Sequence, residues 1–91
     1  MSIKIKPTIH VLASSHVRQD IIDQILQTED AFLLLGDGIY YLSKLTTHQV
    51  YVLTSDLRAR IPNFFLPNKS VNLIDFAKVV DLTLTHKMIS W

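Results

Sequence analysis

Two features are missing from the sequence: it contains no cysteine, and no apolar run approaches the roughly 18 residues of a membrane span. Without a thiol the chain can form no disulfide, no thiolate metal site and no cysteine nucleophile or persulfide. Residues 1–7 are polar, which is not typical of a signal peptide. The sequence therefore predicts a cytoplasmic protein that cannot use a thiol in catalysis.

An excess of charge of one sign is also missing, since the formal net charge is +1 and acidic residues lie between most of the basic ones. Binding of a phosphate backbone would require a local basic patch, and the scattered lysines and arginines form none. This distribution is typical of a mixed, solvated surface. Direct binding of nucleic acid by this chain is therefore not expected.

Apolar residues are abundant for so short a chain. They make up 48% of the 91 residues, against 19% charged, and the mean hydropathy is +0.25. We expect one domain, residues 1–91, with one core that buries only about 60–65% of the surface exposed by the unfolded chain. Part of the apolar surface is therefore expected to contact a partner.

Short apolar runs alternate with amphipathic segments along the chain. The runs that begin at Ile9 and Ala31 are unalternated, which is typical of strands covered on both faces. Between them, apolar residues recur at helical spacing. The sequence predicts strands at 9–13, 31–35, 49–53 and 70–74, and helical segments at 18–27, 39–45, in the turn that ends at Arg60, and at 76–83.

Three of the predicted helical segments begin at residues that favour N-caps. Asp37 can cap the segment 39–45, the Thr54-Ser55-Asp56 run precedes the next, and Asp75 precedes the last. In that last helix the apolar residues at helical spacing predict a single face made of Phe76, Val79, Val80 and Leu84.

This alternation predicts an α/β fold, a small three-layer domain with an open, mostly parallel sheet and right-handed crossovers. Both faces of such a sheet need cover, yet only the segments 18–27 and 76–83 are long enough to supply much of it. A bare sheet face or edge is therefore expected.

The Gly36-Asp37-Gly38 turn follows the second predicted strand, at the sheet end where open α/β proteins place ligand-contacting residues. It lacks the longer glycine pattern and the lysine of a phosphate loop. It forms either a tight turn or a contact edge that includes Asp37 and Gly38. Tyr40 and Tyr41 follow; such side chains suit subunit contacts, and we expect one of them to pack inward.

The sequence indicates no catalytic, metal or cofactor site. None of the four histidines has a partner at metal-ligand spacing, and His10 is expected to be a packed, hydrogen-bonded histidine within a strand. Ser14 or Ser15 with His16 and Asp37 would be needed for a hydrolase, but two serines after a strand are ordinary turn residues. No cofactor is therefore expected.

A loop rich in large apolar side chains is predicted at residues 61–67, because two prolines bar regular structure around Phe64 and Phe65. Loops lie at the surface, so these rings are candidates for contact with a partner. The alternative is that they fold back onto the core of their own chain.

Several segments, read in order, resemble the DsrH/TusB family across nearly the whole chain. They are LLLGDGIY at 33–40, VYVL at 50–53 followed by DLRAR at 56–60, NLIDF at 72–76 with the apolar positions of 79–84, and the closing Ser90-Trp91. Their order and spacing, together with the chain length, carry the resemblance.

The resemblance implies a non-catalytic α/β subunit that joins two relatives of similar fold, DsrF/TusC-like and DsrE/TusD-like, in a heterohexamer. The reactive cysteine then lies on the DsrE/TusD-like partner. In the TusBCD branch, persulfide sulfur passes toward 2-thiolation of the wobble uridine in certain tRNAs. The DsrEFH branch serves oxidative sulfur metabolism instead.

The DsrH subunit of the second branch usually carries a cysteine in its first helix, near the place where this sequence has Ile22. The absence of cysteine therefore favours the TusB branch. Ile61 replaces a glycine that is frequent in the family, and the loop after it is more apolar than usual. We expect the contacts with partners to include Asp37, Gly38, Tyr40, Tyr41, Phe64, Phe65 and Trp91.

Two other functions remain as alternatives. One is a free-standing small enzyme or ligand-binding domain that uses the Asp37 edge, as a homodimer for example. The other is direct contact of this chain with tRNA, against which the near-neutral charge argues.

Overall fold

The computed structural model describes residues 7–45, 48–63 and 71–91. Within them, five strands form one open sheet in the order β4-β3-β2-β1-β5, and every neighbouring pair is parallel. The predicted α/β class with a parallel sheet is confirmed. The elements are β1 (Ile9–Leu12), α1 (Gln19–Leu26), β2 (Ala31–Leu34), a 3₁₀ helix (Gly36–Lys44), β3 (Val50–Leu53), α2 (Thr54–Arg60), β4 (Val71–Ile74), α3 (Phe76–Thr85) and β5 (Met88–Ser90).

The path of the chain explains which face each helix covers. From β1 to β4 the chain steps across the sheet in one direction, and right-handed crossovers place α1, the 3₁₀ helix and α2 on the same face. The connection from β4 to β5 returns across the whole sheet to the far side of β1, so α3 lies on the opposite face. The sheet is therefore the middle of three layers.

The face under α1 holds the larger of two apolar cores. β1 and β2 are buried along their whole length, as their unalternated apolar sequences predict. Ile22 and Ile25 of α1 pack here, beside apolar residues of the 3₁₀ helix and α2. The buried members of this core are Leu12, Ile22, Ile25, Phe32, Leu34, Ile39, Tyr41, Leu42, Leu45, Val50, Val52, Leu57 and Val71.

The opposite face is covered by α3, which contributes Val79 and Leu82 to a smaller core. The predicted single face of this helix is wrong, because Val79 points to the sheet whereas Phe76, Val80 and Leu84 are exposed. One helix cannot present every apolar position to the sheet, since these positions span more than half of its circumference. The sheet residues of this core are Ile9, Val11, Ala31, Leu33 and Ile74.

Side-chain caps agree with the prediction at one helix only. The Asp75 Oδ1 accepts a hydrogen bond of 2.8 Å from the Lys78 N–H, which confirms the cap of α3. The 3₁₀ helix begins at Gly36 after Leu35, and α2 begins at Thr54 after Leu53, neither with a side-chain cap. Asp37 and Asp56 thus lie inside these helices and bond elsewhere.

β5 is missing from the sequence-based prediction. It has only three residues, shorter than the runs of four to eight that identify strands by pattern. Its pairing with β1 aligns Met88 with Ile9 and Ser90 with Val11. This short edge strand brings Trp91 beside β1, and the candidate site depends on that placement.

Candidate functional site

A cavity of about 190 Å³ lies between α1 and the edge of the sheet where β5 pairs with β1. The helices of this face follow β1, β2 and β3, so among the described helices none covers β5 on this side. Trp91 partly fills the gap. The cavity is lined by His10, Ile21, Gln24, Ile25, Thr28, Asp30 and Trp91.

His10 stands at the base of this cavity. It is the one polar residue in the buried part of the described chain, with 6% of its surface exposed, which confirms the expectation of a packed histidine. The Trp91 indole lies nearly parallel to its imidazole, with ring centroids 6.1 Å apart and an interplanar angle of 17°. The centroid of the Phe32 ring lies 6.3 Å from that of the same imidazole.

Hydrogen bonds on both sides fix the state of the His10 ring. The Trp91 Nε1–H donates to Nδ1 of His10 over 3.0 Å. An indole nitrogen can only donate, so His10 Nδ1 must accept and cannot carry a proton. The proton of the neutral ring therefore sits on Nε2, which donates to the Asp30 Oδ2 over 2.9 Å. The three residues form a relay in which the imidazole is neutral and the carboxylate is the final acceptor.

The hydrogen bond from His10 is the main reason why the pKa of Asp30 lies below its ordinary value of 3.8. Burial opposes this shift, and a bond of 3.3 Å from the Thr8 backbone N–H to Asp30 Oδ1 adds to it. Asp30 is therefore ionised at neutral pH. Since His10 is neutral, the relay as a whole carries one negative charge.

The turn after α1 places Asp30 beside β1. The Thr28 hydroxyl donates to the Ile25 carbonyl over 2.6 Å and accepts from the Asp30 N–H over 3.1 Å, which ends the helix. The Ala31 N–H then pairs with the Thr8 carbonyl over 2.9 Å. Parallel pairing of β1 with β2 consequently brings the Asp30 carboxylate to the His10 ring.

The relay has no free base. Both ring nitrogens of His10 are hydrogen-bonded and the ring is buried, so the imidazole positions its neighbours. The hydrolase arrangement that the sequence already argues against has no support in the geometry of the described residues. The Ser14 hydroxyl accepts from the His16 backbone N–H over 3.1 Å, as in an ordinary turn, and Asp37 bonds to Arg60.

The Gly36-Asp37-Gly38 turn is held closed by α2. The Gly36 N–H donates to the Asp56 Oδ2 over 2.8 Å, and the Arg60 Nε donates to the Asp37 Oδ1 over 3.1 Å. A Cβ on Gly38 would lie 1.7 Å from the Leu12 carbonyl oxygen, so the glycine is required by the close approach of β1. Asp37 is exposed, whereas Gly38 is buried inside the chain.

The two adjacent tyrosines point in opposite directions. Tyr41 packs inward, and its hydroxyl accepts from the Val17 N–H over 3.0 Å and donates to the Ser15 carbonyl over 2.9 Å. Tyr40 is 53% exposed. The expectation that one tyrosine packs inward is confirmed. Tyr41 ties the loop after β1 to the 3₁₀ helix, and Tyr40 is available at the surface.

Of the remaining sequence-based candidates, Phe64 and Phe65 lie outside the described residues, and Trp91 lines the cavity. Trp91 is 43% exposed and joins the cavity to the surface.

In the ranges 7–45, 48–63 and 71–91, no group of histidine and acidic side chains could hold a metal ion. Within the same ranges, no helix is long and apolar enough to cross a membrane.

An apolar stripe runs along the outer side of α3. It consists of Phe76, Val80 and Leu84, which are 70%, 46% and 80% exposed and follow one another at intervals of four residues. Residues four apart lie one above the next on a helix surface, so the three side chains form a continuous strip. This strip lies on the outer side of the helix that covers the smaller core, and not on the bare sheet face or edge that the sequence predicts.

The fold and these surfaces define a small α/β protein with a parallel sheet, no thiol and a large exposed apolar strip. The protein family described as "DsrH like protein" matches residues 14–89. The chain therefore belongs to the DsrH-like family, a family of sulfur-relay subunits, and the resemblance read from the sequence is confirmed. No protein in the curated collection of characterised sequences matches it with significance.

Sequence reasoning identifies Trp91 and His10 separately but does not bring them together with Asp30. His10 and Asp30 are 20 residues apart, and His10 and Trp91 are 81 apart. No local spacing signals such a cluster, because the parallel pairing of β1 with both β2 and β5 creates it.

Proposed function

We propose that this chain is the non-catalytic subunit of a TusBCD-type sulfur-relay complex in the cytoplasm, which supports 2-thiolation of the wobble uridine of tRNA. Membership of the DsrH-like family supports a place in such a relay. The absence of cysteine supports a subunit that does not carry the sulfur itself. A cysteine of a partner would carry it.

The single observation that carries this proposal is the stripe of Phe76, Val80 and Leu84. Full burial of a side chain of this type contributes about 1.5–3 kcal/mol, so three neighbouring exposed ones favour association strongly. A stable interface covers about 800 Å² on each partner, more than three side chains supply. The stripe is therefore the centre of a larger contact.

The proposed partners are two small relatives, one DsrF/TusC-like and one DsrE/TusD-like, joined with this chain in a heterohexamer. Asp37, Tyr40 and Trp91 are exposed and remain candidates for these contacts. Gly38 and Tyr41 are buried in this chain, so they would act by shaping its surface. Phe64 and Phe65 stay sequence-based candidates; replacing both with Asp should prevent co-purification with the partners.

A DsrEFH-type complex of oxidative sulfur metabolism is the alternative within the same family. A DsrH subunit of that branch usually has a cysteine in the first helix, and α1 has Ile22 there. A free-standing ligand-binding domain that uses the Asp37 edge gains less support, because Arg60 and Asp56 already occupy the polar groups of this turn.

The test combines two measurements in one host: the composition of the complex that the chain forms, and the 2-thiouridine content of tRNA. The chain is expressed with the two related small subunits of its host, and native mass spectrometry should find a complex containing all three. Deletion of its gene should lower the 2-thiouridine content of tRNA, measured by mass spectrometry of nucleosides. A three-subunit complex with unchanged 2-thiouridine would favour the DsrEFH branch. Absence of any complex would contradict both.

A further inference from the structure

The Asp30 carboxylate is only partly satisfied by the relay. Oδ1 accepts one hydrogen bond from the Thr8 N–H, and Oδ2 accepts one from His10. Each carboxylate oxygen can accept a second bond, so both have acceptor capacity left. The side chain is 28% exposed and lines the cavity. Its only ion-pair partner in the described part of the chain is His10, which Trp91 keeps neutral.

The walls of the cavity suit a long side chain with a cationic end. Ile21 and Ile25 of α1 supply an apolar wall, and the indole of Trp91 supplies an aromatic surface. Gln24, exposed on α1, lines the mouth with an amide. A cation in this cavity would be stabilised by two interactions. The Asp30 carboxylate attracts it by Coulomb attraction, and the electron-rich face of the Trp91 ring attracts it by a cation–π interaction.

The volume of the cavity indicates whether its occupant is a small molecule or a single protein side chain. Sites for small molecules and cofactors measure about 300–1,000 Å³. The cavity here is about 190 Å³ and opens to the surface beside Trp91. It can hold one large side chain that enters from outside, as in the anchor pockets of protein interfaces.

We propose that this cavity receives one arginine side chain from the surface of a partner protein, with the guanidinium between Asp30 and the Trp91 indole. The planar guanidinium can stack on the indole while its N–H groups donate to the carboxylate, and its aliphatic part lies along Ile21 and Ile25. Lysine lacks the planar group, and arginine is enriched at interfaces. The inference concerns the cavity alone and does not depend on the proposed function in a sulfur-relay complex.

The experiment titrates the isolated chain with the blocked tripeptide acetyl-Gly-Arg-Gly-amide. The matched control peptide carries citrulline, which has nearly the same shape as arginine and no charge. Trp91 is the only tryptophan of the sequence, so its indole N–H signal in ¹⁵N–¹H spectra reports on this site alone. The arginine peptide should give a saturable shift at least about tenfold tighter than citrulline, a difference of about 1.4 kcal/mol.

Charge changes at Gln24, which is exposed at the mouth of the cavity, test the site while every hydrogen bond of Asp30 is kept. Gln24→Glu adds a carboxylate and should tighten binding of the arginine peptide, whereas Gln24→Lys should abolish it. Asp30→Asn should also abolish the shift. Asp81→Asn removes an equal charge from α3, on the other face, and should change nothing.

Three outcomes would overturn the inference. Equal binding of the citrulline and arginine peptides would show that charge is not recognised. Equal affinities of Gln24→Glu and Gln24→Lys would place the peptide elsewhere on the chain. Methylguanidinium binding as tightly as the arginine peptide would identify a free small cation as the occupant, in place of a protein side chain.

Discussion

The indole N–H of Trp91 donates to Nδ1 of His10, joining two residues 81 positions apart in the chain by a bond of 3.0 Å. This contact sets the proton on Nε2 of His10 and directs it to Asp30. A single aromatic residue at the sheet edge thus determines the charge of the cavity. The relay connects His10 of β1 with Asp30, in the turn after α1, and with Trp91, which follows the edge strand β5.

The first prediction concerns the tautomer of His10. Long-range ¹⁵N–¹H correlation spectra at neutral pH should find the proton on Nε2. Trp91→Phe removes the donor to Nδ1 and leaves a buried acceptor without its partner, so we expect a loss of about 1 kcal/mol in the free energy of unfolding. Nε2 should keep its proton in this variant, because the ionised Asp30 can only accept a hydrogen bond. Tyr40→Phe, at an exposed aromatic residue, should stay within about 0.5 kcal/mol of the wild type. A proton found on Nδ1 in the wild type, or equal stabilities of Trp91→Phe and Tyr40→Phe, would contradict the role of the indole.

The second prediction is a pH dependence that Asp30 creates. The pKa of Asp30 in the folded chain lies below its ordinary value, so the unfolded state takes up a proton first as the pH falls. The stabilisation is complete above the ordinary value of 3.8 and is lost as the pH falls through the folded pKa. Asp30→Asn lacks this contribution.

Urea unfolding of the wild type and of Asp30→Asn across the acid range measures this effect. The wild type should be the more stable of the two at neutral pH, and the difference should shrink in acid. Asp20→Asn, at an exposed carboxylate of α1, serves as the control. Parallel curves for wild type and Asp30→Asn would rule out the proposed linkage.

The third prediction concerns the close contact between Gly38 and β1. Gly38→Ala places a Cβ 1.7 Å from the Leu12 carbonyl oxygen, and a backbone atom cannot yield as a flexible side chain does. We expect a loss of more than about 3 kcal/mol in the free energy of unfolding. Gly36→Ala meets its nearest atom at 3.2 Å but has a φ of +50°, so it should cost about 1 kcal/mol. Equal losses for the two variants in chemical denaturation would contradict this assignment.

The fourth prediction concerns the start of α3. Asp75→Ala removes the acceptor for the Lys78 N–H and should lower the free energy of unfolding by about 1 kcal/mol. The control is Asp81→Ala, which removes only an exposed ion pair with Lys78 and should cost less than about 0.5 kcal/mol. Circular dichroism during urea unfolding compares them. A smaller loss for Asp75→Ala than for Asp81→Ala would refute the cap.

The fifth prediction concerns the stripe on α3. Val80→Lys with Leu84→Lys puts two charges on the stripe, where burial against a partner would leave them unsolvated. The double variant should keep its far-UV circular dichroism and lose the complex in native mass spectrometry.

The matched control is Gln19→Lys with Gln27→Lys, which adds the same charges to exposed positions at the start of α1 and just after its end, on the opposite face. This control should keep the complex. Equal assembly of both double variants would show that the stripe is not part of the contact.

How far the fold can be predicted depends on how local its signals are. The unalternated runs that begin at Ile9 and Ala31 predict buried parallel strands, and these strands lie where the pattern puts them. The bounds of α1 differ by one residue at each end, since its apolar stripe is continuous. β5 escapes prediction because three residues contain too little pattern, although its pairing with β1 stabilises it.

The sequence by itself determined the class of fold, the absence of any thiol and the abundance of apolar side chains. These follow from composition and periodicity, which depend on near neighbours in the chain. Only the tertiary structure decided that Val79 faces the sheet while Val80 faces solvent, and that His10, Asp30 and Trp91 form one relay. The reason is physical: strand order and crossover hand bring distant residues together, and neither is encoded within a short stretch of sequence.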